Sequence, residues 1–136
     1  MKNYDKYIEF VRNVVPALNV MVSERYNTGY DVRENKLIIG PDIEASQAQF
    51  MRHLREVHKC EFVDALETPY WVLLHEIGHY MTYEKVKDKI DAITRQAIID
   101  NAIDFELDEC YDVYFGLLEE WEATEWAIRY VQENLI

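Results

Sequence analysis

The sequence predicts an α+β fold that is mostly helical, with a small β-sheet and one buried helix. Three observations support this class. First, several segments repeat apolar residues at helical spacing. Second, two short runs rich in β-branched and aromatic residues, Tyr26–Val32 and Lys36–Ile39, suit β-strands. The third observation is the run 68–84, which is almost continuously apolar at first and yet has charged and imidazole side chains at its centre. A helix that is apolar on all sides is a buried one.

The N-terminal third is expected to hold a helix and a pair of strands. Residues 2–15 place apolar side chains at helical spacing, and Pro16 breaks this pattern before Ala17–Tyr26 resumes as helix. Tyr26–Val32 and Lys36–Ile39 are predicted strands, because β-branched and aromatic residues alternate there around a polar turn. The small sheet is expected to be built from these two strands.

The middle of the chain adds an amphipathic helix and then the buried one. Residues 40–42 end the second strand, and the helix that follows carries one apolar stripe, formed by Ile43, Phe50, Met51, Leu54 and Val57. Cys60–Val63 is read as a further short strand. Thr68–Glu84 is predicted to be the buried helix, since Thr68 suits an N-cap and proline follows it at the first helical position.

The C-terminal part is expected to be helical. Residues 86–103 and Tyr114–Leu135 both show helical apolar spacing, whereas Asp104–Asp112 is acidic and has no clear pattern. No internal repeat, low-complexity segment or Ser/Gly linker divides the chain. We therefore expect a single domain over residues 1–136.

The formal net charge of −12 argues against several classes of partner. Binding to nucleic acid through phosphates or to an anionic membrane needs clusters of Lys and Arg, so we expect neither. The N-terminus lacks the apolar core of a signal peptide, and no apolar run has the length of a membrane span. Cys60 and Cys110 are too few for a disulfide framework, so we expect free thiols and a cytoplasmic protein. The oligomeric state is not predicted.

The centre of the buried helix is His75-Glu76-Ile77-Gly78-His79. Residues four apart lie on the same face of a helix, so His75 and His79 are expected to direct two imidazoles at one metal ion. This is the H-E-x-x-H arrangement, in which two histidines hold Zn²⁺ and the glutamate, here Glu76, is the general base for a water that the metal activates. Imidazoles inside an apolar helix need partners, and zinc supplies them.

A catalytic zinc site usually has three protein ligands, so a third ligand is expected. In metzincins this is a histidine six residues beyond the motif, but Lys85 occupies that position here. His53 and His58 are five residues apart on a predicted helix and so point in different directions. We expect both to be surface residues. An acidic third ligand fits better.

The run Glu119–Ala127, EEWEATEWA, suggests where that ligand lies. From Glu122 it resembles the Glu-Ala-x-x-aromatic-Ala pattern that follows H-E-x-x-H in gluzincin metallopeptidases of the ImmA/IrrE type. The resemblance implies a compact zincin-like domain with Glu122 as the third zinc ligand. It also implies close packing of two helices, with Ala123 and Gly78 near the contact. Three carboxylates are rivals to Glu122, namely Glu106, Glu109 and Glu119, with Glu106 the strongest by its distance from His79.

The resemblance further implies a zinc-dependent metallopeptidase that hydrolyses peptide bonds and acts on a specific regulatory protein. Its protein or peptide substrate would add as a strand along a sheet edge, for which Leu37–Ile39 is the expected candidate. Tyr111, Tyr114 and Tyr130 are candidates for stabilising the oxyanion. The alternative is a zincin-like binding module whose metal is structural or lost. Glu76 favours catalysis, because a structural site does not require it.

Overall fold

The α+β class is confirmed by a computed structural model, which describes residues 4–89, 96, 99–100 and 108–136, with only the backbone of residues 108 and 109. The described residues form five helices, a three-stranded sheet and two short 3₁₀ turns, at Val63–Ala65 and Lys87–Lys89. In chain order the elements are α1 (Asp5–Val14), β1 (Asn19–Val22), β2 (Gly29–Asp31), β3 (Lys36–Ile39), α2 (Ala48–Glu56), α3 (Thr68–Val86), α4 (Asp108–Phe115) and α5 (Leu118–Asn134).

The sheet has the order β1-β3-β2, so β3 is its central strand. β1 runs parallel to β3, whereas β2 is antiparallel to it, with Tyr30 opposite Leu37. Two predictions were therefore wrong. The segment Ala17–Tyr26 contains a strand rather than a helix, because its β-branched residues pair with the open side of β3. Leu37–Ile39 is not a sheet edge, since both neighbours of β3 are occupied.

The second half of the chain follows the predicted pattern with three differences. Cys60–Val63 is not a strand, and a 3₁₀ turn begins at its end. The predicted helix Tyr114–Leu135 is divided, because α4 ends at Phe115 and α5 starts at Leu118. α3 begins at Thr68 and continues to Val86, but its N-cap is Glu67 and not Thr68 as predicted. The predicted helix 86–103 lies for the most part outside the described residues.

His53 and His58 are buried, so their prediction as surface residues was wrong. Neither side chain has measurable exposure, and their ring centroids are 5.0 Å apart. The reason is that α2 ends at Glu56, so that His58 lies beyond the helix and the helical angle between the two does not apply. A left-handed residue, Lys59 with φ 59°, then turns the chain. His53 Nδ1 lies 2.8 Å from the carboxylate of Asp112, and His58 Nδ1 lies 2.9 Å from that of Glu125.

α3 lies at the centre of the core and packs along α5. The buried apolar face of α3 includes Trp71, Leu74 and Ile77, all with no measurable exposure. The two helix backbones approach closely at one point, where a Cβ placed on Gly78 would lie 2.9 Å from the Ala123 Cα. The prediction that Ala123 and Gly78 lie at the contact is thus confirmed. Within the described part of the chain, no helix has the length and apolar character needed to cross a membrane.

Candidate metal centre

α3 directs both motif histidines toward α5, as the four-residue spacing predicts. Their ring centroids are 4.7 Å apart. His75 is buried, at 4% exposure, whereas the His79 side chain retains 18%. The pair therefore has one deeply enclosed member and one at the border of a cavity.

The carboxylate of Glu120, from the first turn of α5, lies between the two imidazoles. Its Oε1 is 3.2 Å from His75 Nε2, and its Oε2 is 3.0 Å from His79 Nε2. Among the described residues, these three side chains form a cluster of possible metal ligands. Their donor atoms all lie within 4.8 Å of one another. The structure thus brings two nitrogens and one carboxylate to a common point.

This geometry corrects the sequence-based choice of Glu122. Glu122 Oε2 lies 3.1 Å from Lys85 Nζ, on the flank of the two helices. The reason is the rotation of α5: its buried face holds Glu120, Ala123 and Thr124, whereas Glu122 is about 200° round the helix from Glu120.

The predicted rivals are placed differently. Glu119 is buried and lines the cavity beside the histidines, but it does not belong to the converging group. Glu106 lies outside the described residues, as does the side chain of Glu109.

Glu120 and His79 form a charged pair in the metal-free protein. Burial opposes a charge on His79, but the hydrogen bond and the negative charge of Glu120 outweigh it and raise the His79 pKa to about 9. Burial also acts to raise the Glu120 pKa, yet hydrogen bonds from His75 and His79 hold that pKa well below its usual range. Protonated His79 therefore supplies the positive charge beside Glu120 that a bound metal cation would otherwise supply.

The three side chains could hold a metal ion, and their donor set is compatible with zinc without being specific to it. Two imidazole nitrogens and one carboxylate oxygen are a known ligand combination for catalytic Zn²⁺, with a fourth position left for water or substrate. Bonds of about 2.0–2.2 Å around a tetrahedral ion place neighbouring donor atoms about 3.3–3.6 Å apart. The distances from the Glu120 oxygens to the two Nε2 atoms, 3.0–3.3 Å, are close to that spacing. A metal ion at this point would take the place of the His79 proton, and the Glu120 oxygens already lie near the spacing that it would require.

Glu76 lies beside this group at the cavity wall, where β2 holds it. Its Oε1 accepts a hydrogen bond of 3.2 Å from the backbone N–H of Tyr30. Burial raises the pKa of Glu76 above its usual range, and the nearby imidazoles oppose that shift only in part. A carboxylate with a raised pKa is suited to accept and return a proton near neutral pH.

The cavity next to the histidines has a volume of about 560 Å³. Tyr111 and Tyr114 line it, whereas Tyr130 stacks on Trp126 at 5.4 Å and is not among the lining residues. Burial raises the pKa of the Tyr111 phenol well above its usual range, so the phenol keeps its proton. Of the three tyrosines considered as oxyanion donors, two thus line the cavity beside the histidines.

Sequence reasoning missed Glu120 and also Thr124, whose hydroxyl contacts His75. One signal in the sequence points to Glu120: it lies three residues before Ala123 and four before Thr124, and both spacings place residues on one helix face. The resemblance to ImmA/IrrE-type gluzincins remains a prediction from the short motifs that carry it. Compared with family models, curated proteins and solved structures, the chain matches none of them.

Proposed function

We propose that the protein is a zinc-dependent metallopeptidase in which His75, His79 and Glu120 hold the metal and Glu76 is the general base. One observation carries this proposal: a buried carboxylate from α5 lies between the two motif histidines of α3, next to the partly buried carboxylate of Glu76 on the cavity wall. When bound there, zinc would lower the pKa of a water molecule to about 7 and polarise a substrate carbonyl.

Glu76 moves the proton in this proposal. Its Oε1 is held by the Tyr30 N–H, so Oε2 accepts the proton from the attacking water. The same oxygen then gives that proton to the amine that leaves when the peptide C–N bond breaks. The proton is thereby conserved, and the products are one carboxylic acid and one amine. The raised pKa of Glu76 supports the first step, because a more basic carboxylate accepts a proton more readily.

β2 positions the substrate chain in this proposal. β2 is an edge strand, and Gly29 and Tyr30 line the cavity. The N–H and C=O of one strand residue point to the same side, and the Tyr30 N–H points to Glu76. The Tyr30 carbonyl therefore faces the cavity side, where it accepts a hydrogen bond from a substrate N–H. An extended peptide added in this way runs beside Glu76 and the histidines.

Metal content and turnover of two variants test the proposal. Wild-type protein, purified without added zinc, is expected to contain about one zinc per chain and to cleave members of a mixed-sequence peptide library, read by mass spectrometry. Glu76→Gln should keep the zinc and lose about 10²–10⁴-fold in rate. Glu122→Gln, the matched control on the flank of the same helix pair, should keep both.

The outcomes separate the two functions considered. Absence of zinc from folded wild-type protein would contradict the metallopeptidase. Zinc bound at full stoichiometry with no cleavage of any library member, or equal cleavage by Glu76→Gln, would favour the binding module with a structural metal.

We also propose a reducing, cytoplasmic location. Cys60 is buried and Cys110 is partly buried, and both are free thiols. Alkylation of the denatured protein without reductant should modify both cysteines. An intramolecular disulfide found by mass spectrometry would contradict this location.

A further inference from the structure

We propose that Thr124 is a positioning residue for the metal centre, which fixes the ring of His75 in the tautomer that can bind a metal through Nε2. This inference rests on the proposed function and assigns a role to a residue outside the H-E-x-x-H motif. Thr124 has no measurable exposure and lies on α5, one helical turn after Glu120. Its hydroxyl oxygen contacts both a ligand residue of α3 and a ligand residue of its own helix.

The two contacts determine the direction of each hydrogen bond. Thr124 Oγ1 lies 3.0 Å from the backbone carbonyl oxygen of Glu120 and 2.9 Å from His75 Nδ1. A hydroxyl has one hydrogen, and a carbonyl oxygen can only accept. When the Thr124 hydrogen is donated to Glu120, its oxygen is left to accept from His75. His75 Nδ1 must then carry a proton.

The tautomer of His75 follows from this. A neutral imidazole with its proton on Nδ1 has its lone pair on Nε2. His75 Nε2 is the atom that lies 3.2 Å from Glu120 Oε1, at the convergence point of the candidate site. Because Thr124 holds the Nδ1 proton, Nε2 is the nitrogen that would exchange its hydrogen bond with Glu120 for a bond to a metal ion. The same hydroxyl links the backbone of Glu120 to the ring of His75, which fixes the two ligands relative to each other.

Loss of this hydroxyl should weaken metal binding selectively. Without the acceptor, His75 Nδ1–H is a buried donor with no partner at that position, and the proton is free to move to Nε2, where it blocks ligation. Removal of such an orienting partner typically lowers metal affinity about 10- to 100-fold.

The test compares Thr124→Val with Thr124→Ser, using zinc affinity measured by competition with a chromophoric chelator. Val has a shape similar to Thr but no hydroxyl, and Ser keeps the hydroxyl. We expect Thr124→Val to bind zinc about 10- to 100-fold more weakly and Thr124→Ser to stay close to wild type. Thr82→Val is the matched control, because the buried Thr82 hydroxyl also donates to a carbonyl one turn back, that of Gly78, at 2.7 Å.

A second readout separates positioning from general stabilisation. In zinc-loaded wild type and Thr124→Ser, nitrogen-15 NMR should show a His75 Nδ1 proton that exchanges slowly with solvent. In Thr124→Val this proton should exchange rapidly. Urea unfolding of the metal-free proteins should show similar losses for Thr124→Val and Thr82→Val.

The inference and the proposed function fail in distinguishable ways. If wild-type protein binds no zinc, the proposed function fails. If wild type binds zinc and Thr124→Val binds it equally well, only the role of Thr124 is overturned. The same holds if Thr82→Val loses as much affinity as Thr124→Val, since the effect would then reflect the loss of any buried threonine hydroxyl.

Discussion

Replacing Glu120 by Gln should lower the pKa of His79 in the metal-free protein. Gln has nearly the same shape but no charge, so the substitution removes the ion pair and leaves the packing in place. The His79 pKa of about 9 lies well above the ordinary 6.5, which corresponds to an interaction on the order of a few kcal/mol. Glu120 supplies the hydrogen bond and the largest charge effect, while Glu76 and Glu119 contribute less. Because burial by itself lowers the pKa, we expect loss of the Glu120 charge to bring the His79 pKa back to its ordinary value or below it.

Stability should show the same interaction, with a defined sign. A histidine whose folded pKa is raised stabilises the fold fully below its unfolded pKa, and that contribution is lost as pH rises through the folded value. The stability difference between wild type and Glu120→Gln should therefore be large near pH 6.5 and shrink as the pH approaches 9. Urea unfolding in the presence of a chelator measures this difference.

The assay for the pKa is an NMR titration of the His79 ring in metal-free protein, with Glu122→Gln as the control. The control should leave the His79 pKa unchanged, because the Glu122 carboxylate contacts Lys85 instead. An unchanged His79 pKa in Glu120→Gln would refute the placement of Glu120 at the histidines. So would an equal decrease in both variants.

Three further predictions follow from the packing, the buried histidines and the charge. Gly78→Ala should destabilise the fold by about 1–3 kcal/mol in urea unfolding and weaken zinc binding, because the added Cβ would meet the Ala123 backbone. The control is Gly29→Ala, which should keep wild-type stability because there is room for a Cβ at that position. Burial lowers the pKa values of His53 and His58, so unfolding free energy should decrease as pH falls below about 6.5, and a flat profile between pH 7 and 5.5 would contradict this. A fluorescence titration should show no sub-micromolar affinity for DNA or RNA at physiological salt, given the net charge of −12.

The sequence predicted α3 and the common direction of its two histidines well, because the information there is local. The four-residue spacing of His75 and His79 and the proline near the helix start depend only on helix geometry. The meeting of Gly78 with Ala123 was also predictable, since small residues allow two backbones to approach. The α+β class followed in the same way from apolar periodicity.

The third member of the site was harder to predict, because it depends on the rotation of α5 about its axis. Glu119, Glu120, Glu122 and Glu125 lie within seven residues of one another, and the short motif points to Glu122. Only the contact of Ala123 with Gly78 determines which of them faces the histidines. The burial of His53 and His58 depends on where α2 ends. The strand β1 forms because it pairs with β3, which is a tertiary contact that local sequence does not determine.

Anomalous X-ray diffraction at the zinc edge, from crystals of wild-type protein loaded with one equivalent of zinc, tests the central claim most directly. We predict a single peak within about 2.0–2.2 Å of His75 Nε2, His79 Nε2 and a carboxylate oxygen of Glu120. A peak coordinated by Glu122 in place of Glu120, or zinc bound elsewhere with these three side chains unliganded, would contradict it.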